Sequence, residues 1–119
     1  MTLPYNEVIK VLKRTDNHRD VLEEYTSSLR ELLYESGVRY YKLLEYVLTN
    51  IASVNILLSA TMTESNMRIR EKLIELIAKI ICESYENVKK YIESGNEEIL
   101  NIAIRNLDKT LKKADKILR

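Results

Sequence analysis

Residues 66–94 read NMRIREKLIELIAKIICESYENVKKYIES, a stretch without Gly or Pro whose reading decides the fold. Between Leu73 and Cys82 only Glu75 and Lys79 are polar. With Lys72, Glu83, Glu86 and Lys90 they form one narrow ribbon at spacings of three and four. A helix with so thin a polar edge needs cover on two or three sides, so the other helices must pack around it or a second copy of the chain must help. Its apolar arc is centred on Met67, Ile74, Ile77, Ile81 and Val88. The spacing predicts a central helix over about residues 64–94 in an all-α, antiparallel four- to five-helix bundle, with residues 1–119 as a single domain.

Working outward, Thr2, Leu3 and Pro4 read as a helix start, with Val8, Ile9, Val11 and Leu12 as a short apolar face. Thr15, Asp16, Asn17 and His18 end that helix. Asp20 and Glu23 have capping-box spacing, and Val21, Leu22, Tyr25, Leu29, Leu32 and Leu33 carry a second helix over about 18–35, closed by Gly37. A third begins near Val38. Residues 46–63 contain no charge, which makes this helix either a wrapped element or a partner-facing surface. Ser59 to Ser65 reads as a connection, with Thr61 and Glu64 as a second capping box. Ser94, Gly95 and Asn96 stop the long helix and cap the last. That final helix repeats Leu100, Ile104, Leu107, Leu111, Ala114 and Leu118 at four-three steps. At about 1.5 Å per residue the long helix spans roughly 45 Å, so it must bend near Ser84 to Asn87 or protrude.

Composition narrows the function classes. The chain has 119 residues, net charge +1, one Cys, one His, two Gly and one Pro. One His excludes the paired Glu-x-x-His ligands of a bundle diiron site, and Cys82 with His18 cannot build a zinc site. No Gly-rich phosphate loop is present. Cys82 lies among Ala78, Ile80 and Ile81 and reads as an inert thiol suited to a reducing, cytoplasmic setting. Residues 46–63 carry Thr49, Asn50, Ser53, Asn55 and Ser59, too polar for a lipid-facing span. Many Ile, Leu, Lys and Glu, with no Gln, match thermophile or AT-rich composition, although nine Asn oppose the former. No cofactor, metal or catalytic constellation is expected.

Arg14 and His18, in Arg-Thr-Asp-Asn-His, resemble the Arg-x-x-x-x-His pair of HEPN-type ribonucleases with one residue fewer between them; both read as exposed loop residues. Tyr40-Tyr41-x-Leu with Asn50-x-Ala52-Ser53-x-Asn55-Ile56 is similar to the helical domain of GINS replication subunits over less than a fifth of the chain. No residue role transfers from either resemblance.

Two surfaces follow. The surplus of apolar positions on two helices implies protein contacts, as a homo-oligomer or a small subunit of an assembly, through Tyr41, Leu44, Leu48, Ile51, Asn55, Leu58 and Ile80. The alternative is a nucleic-acid-binding accessory module. Residues 105–119 carry net +4 and residues 1–19 net +2, against −5 for the remainder. Arg105, Lys109, Lys112, Lys116 and Arg119 form one row, which Lys10, Lys13 and Arg14 could extend along phosphates. The ordinary reading of such a row is a solvated helix face with cations near its C-terminus.

Overall fold

The computed structural model describes residues 4–14, 18–37 and 40–119. It consists of five helices: α1 (Tyr5–Arg14), α2 (His18–Ser36), α3 (Tyr41–Thr63), α4 (Met67–Ser94) and α5 (Glu97–Leu118). Helix α4 packs against all four others, and among the described residues no other helix does so. Around it α1 meets α2, α2 meets α3, and α3 meets α5, but α1 and α5 do not touch. The cover is therefore an open arc. Its gap lies along the polar ribbon from Lys72 to Lys90, so the one wet edge of α4 is the one left bare. Helices α3 and α4 run antiparallel, since Tyr40 stacks on Tyr91 at 5.7 Å while Tyr46 accepts a bond from Asn87 at 3.4 Å.

The central arc behaves as its spacing requires. Ile77 is fully buried and Ile81 nearly so, with Leu73, Ile74, Ala78, Ile80, Val88 and Tyr91 beside them. Met67 departs from the expected stripe and is 63 % exposed. Helix α4 continues unbroken through Ser84 and Asn87. Its 28 residues match the 42 Å length of the molecule at about 1.5 Å per residue, and the mismatch with shorter neighbours is met by baring its first turn.

Local chemistry sets the ends. Gly95 takes φ +68 and donates its N–H to the Tyr91 carbonyl, and the Asn96 side chain caps the Glu98 N–H. Gly37, just past the end of α2, also takes a left-handed φ of +65. The expected Thr61 and Glu64 capping box does not form. Ser59, Thr61 and Thr63 instead bond back to carbonyls of their own helix, which carries α3 on to Thr63. Asn66 is the cap, its Oδ1 accepting from the Arg68 and Ile69 N–H groups at 3.0 and 3.3 Å. Asp20 likewise sits inside the first turn of α2 rather than capping it, because the helix already begins at His18. The readings of Thr2 and Leu3, of residues 15–17, and of a start near Val38 fall outside the described residues. On α5 the buried face is Leu100, Ala103, Leu107, Thr110 and Ala114, while Ile104 and Leu118 are exposed. The buried stripe keeps the three-four spacing but is turned to the side of Ala103 and Thr110, away from Ile104 and Leu111, so small side chains face the bundle there.

The core carries a few polar groups, and Asn50, Ser53, Thr61, Ser84 and Thr110 each bond a carbonyl of their own helix. Ser84 donates to the Ile81 carbonyl at 3.1 Å, which leaves Tyr25 as the donor of its 2.5 Å bond to Ser84. Burial raises the Tyr25 and Tyr46 hydroxyls above their ordinary value. Cys82, half-buried beside Glu83 and Glu86, is pushed up to about 11, mainly by burial. In the unfolded chain these protons leave near 10.0 for Tyr and 9.0 for Cys, whereas the fold retains them. Above that range the unfolded state binds fewer protons than the native one, so stability falls as pH rises.

Two sets of variants test this core. Ile77→Ala removes buried carbons and should cost about 2–5 kcal/mol, while Lys79→Ala on the ribbon should change stability by no more than about 0.5 kcal/mol. Equal thermal shifts for the two would remove α4 from the centre. Thermal midpoints should hold up to about pH 9 and drop beyond about pH 10. Tyr25→Phe should cost about 1 kcal/mol at neutral pH, from the lost hydrogen bond, and should make the alkaline drop shallower.

Candidate functional site

The α2–α3 hairpin does not close along its outer side. Between the two helices lies an open groove of about 710 Å³, lined by Thr26, Arg30, Leu33 and Tyr34 from α2 and by Leu43, Leu44, Val47, Leu48 and Ile51 from α3, with Gly37, Tyr40 and Tyr41 at the hairpin end. Among the described residues Arg30 is the only charged one in its lining. The cause is compositional: α3 carries only Lys42 and Glu45 as charges over 23 residues, so its outer face is nearly as apolar as its inner one. Tyr34 is 80 % exposed, Tyr41 82 %, Leu44 47 % and Leu48 57 %. Helix α3 is the one described helix long and apolar enough to cross a membrane, and 44 % of that stretch is buried inside the bundle.

Five of the seven expected contact residues lie together on this face. Tyr41, Leu44, Leu48 and Asn55 are exposed and Ile51 is half-buried. Leu58 and Ile80 are corrections, each 3 % exposed and part of the core. Leu58 fails for a geometric reason. Successive heptads on a straight helix slip by about 20°, and at Leu44, Ile51 and Leu58 the side chains pass from exposed through half-buried to buried. Ile80 stands on α4, where α3 and α5 cover it. The α2 wall of the groove, Thr26, Arg30, Leu33 and Tyr34, was not legible as a site, because Leu33 reads as ordinary core and the other three as ordinary surface.

The basic row exists on α5 and is exposed throughout. Arg105 pairs with Glu98 at 3.5 Å, Lys112 with Asp108 at 3.0 Å, and Arg119 with Asp115 at 3.1 Å. Among the described residues Lys109, Lys113 and Lys116 form no ion pair. On α1, Lys10 pairs with Glu7 at 3.5 Å, Arg14 bonds the Lys10 carbonyl, and Lys13 is exposed. The two basic clusters do not join, because α1 and α5 stand on either side of the α4 ribbon with Glu75, Glu83 and Glu86 between them. His18 is a further correction: it is 4 % exposed at the start of α2, and among the described residues its Nδ1 has no hydrogen-bond partner. Burial on a helix, not a place in an exposed loop, separates it from Arg14. Among the described residues no three His, Cys, Asp or Glu side chains gather closely enough to hold a metal ion. Compared with protein-family models, with curated proteins and with solved structures, the chain matches none.

Proposed function

We propose that this protein is a non-enzymatic helical bundle that acts through protein contacts in the cytoplasm, as a homo-oligomer or a small subunit of a larger assembly, using the α2–α3 groove. One observation carries the reading. Tyr34, Tyr41, Leu44 and Leu48 stand together in water at 47–82 % exposure beside an apolar groove. With roughly 200 Å² for a large side chain, these four present about 500 Å², near the top of the range for the largest patch of a monomer and typical of a binding face. Ordering four such side chains at a contact is opposed by little polar desolvation, since among the described residues Arg30 is the only charge in the lining.

The basic row is the weaker surface. Three of its five members already have a carboxylate partner on their own helix, and the α4 ribbon places three Glu between it and the cations of α1. Phosphates would have to displace those pairs for a gain that salt screens.

Sedimentation equilibrium at micromolar concentration compares the parent chain with Leu48→Asp. The parent should exceed the 14.0 kDa of one chain, alone or with a stoichiometric partner, and the variant should return to that mass. Leu48 is outside the core, so the variant should keep its helical circular dichroism and melt within about 1 kcal/mol of the parent. A parent that sediments as a single chain, with no partner lost on Leu48→Asp, overturns the proposal.

A further inference from the structure

The structure points to the occupant of the groove, and we infer that it is α3 of a second copy of this chain, the two α3 helices running parallel about a two-fold axis. This rests on the face being a protein-contact surface, as proposed above. Tyr41, Leu44, Leu48, Ile51 and Asn55 follow steps of three, four, three and four, which are positions a, d, a, d and a of a heptad. A parallel two-stranded seam sets each a residue opposite its own copy. A single Asn at position a is the residue that fixes register and two-strand pairing in such seams, at a cost in stability. Asn55 holds that position, exposed, and among the described residues its side-chain amide has no partner within the chain.

Charge selects the orientation. At 3.6 residues per turn, Leu44, Val47 and Ile51 turn from Leu48 towards the groove and α2, while Glu45 turns to the opposite flank of α3. An antiparallel pair brings groove flank to groove flank, setting Arg30 against Arg30 and Glu45 against Glu45. A parallel pair brings the groove flank of each copy against the far flank of the other, so that Arg30 meets Glu45 of the second copy. Both side chains are exposed, and among the described residues neither has an ion-pair partner within its own chain. Area agrees with self-association. The patch of about 500 Å² is counted twice in an isologous contact, which reaches the roughly 1,000 Å² that separates specific interfaces from casual ones. The seam ends where Leu58 turns into the core, so it spans two heptads only.

The test uses the full chain in sedimentation equilibrium, with a charge swap. The parent should form a dimer of twice 14.0 kDa. Arg30→Glu and Glu45→Arg should each weaken it by about tenfold, and the double swap should recover most of that loss. Because Arg30 and Glu45 flank opposite sides of α3, recovery has to come from contact between copies. In a Cys82→Ser background, Tyr41→Cys alone and Asn55→Cys alone should each cross-link copy to copy with a short bismaleimide. These positions lie about 21 Å apart along α3, so an antiparallel pair can bring at most one of them to its axis. Failure of the swap to restore the dimer, or of either cysteine to cross-link, overturns the parallel pairing. If another Leu48→Asp-sensitive assembly is then present, the protein-contact reading still stands. A monomer without a partner overturns both, as does binding to phosphatidylcholine–phosphatidylglycerol vesicles in place of dimer formation.

Discussion

The constraint on which the structure depends is the thin polar ribbon of α4. Ten of its residues are buried, and a helix so nearly apolar all round gains from water exclusion only if neighbours cover three of its sides. Helices α1, α2, α3 and α5 supply that cover as an open arc; α1, α3 and α5 are held chiefly by α4, while α2 divides its contact between α4 and α3. The arrangement decides what is left over. Helix α3 spends one apolar face on α4 and retains a second, because α2 covers only part of it. Helix α5 exposes Ile102, Ile104 and Leu118, but its outer face also carries Arg105, Lys109, Lys112, Lys113 and Lys116.

Much of the fold was legible because helix punctuation in this chain is local chemistry. Gly95 and Asn96 act through their own backbone and side chain, so two adjacent residues announce both the end of α4 and the start of α5. The α3–α4 junction was misread for the converse reason. A hydroxyl three residues before a carboxylate can cap a helix or bond back to the carbonyl four residues earlier, and Thr61 does the latter in a fully buried site where a free hydroxyl would be costly. Which of the two occurs depends on burial, and burial depends on packing that a sequence window does not contain.

The candidate site was legible in part, and the boundary is physical. Residues on one helix could be assigned to one stripe, so Tyr41, Leu44, Leu48, Ile51 and Asn55 were found together. The direction in which the stripe faces depends on neighbouring helices, and the slow slip of a heptad on a straight helix carried Leu58 inward. The second wall of the groove could not be read, because Arg30 and Tyr34 are unremarkable on α2 until α3 is placed beside them. His18 shows the same dependence: a polar residue after three turn-forming ones reads as exposed, yet the first turn of α2 is pressed into the bundle.

One helix, α3, serves two faces, and its inward polar residues do not by themselves decide which face is buried. Asn50, Ser53 and Thr61 point inward and are satisfied by the carbonyls of Tyr46, Thr49 and Leu57 on their own helix, at 2.8, 2.7 and 2.8 Å. They demand no partner from α4 or α5, and so they reduce the hydrophobicity of the inner face without fixing it to specific polar neighbours. An amide or hydroxyl bonded this way is less costly to bury than a free one, but it contributes less than a methyl group to packing. The inner face is thus held mainly by Leu43, Tyr46, Val47, Val54, Leu57 and Leu58, while the outer face carries Tyr41, Leu44 and Leu48 in water. With these three polar groups turned inward, the inner face of α3 is less apolar than it could be, so hydrophobicity alone sets only a small cost on rotating the outer face into the core. The inward Asn50, Ser53 and Thr61 do not prevent that rotation by themselves. Tyr46 does, because turning it outward would break its bond to Asn87 and lift a large aromatic ring out of the core.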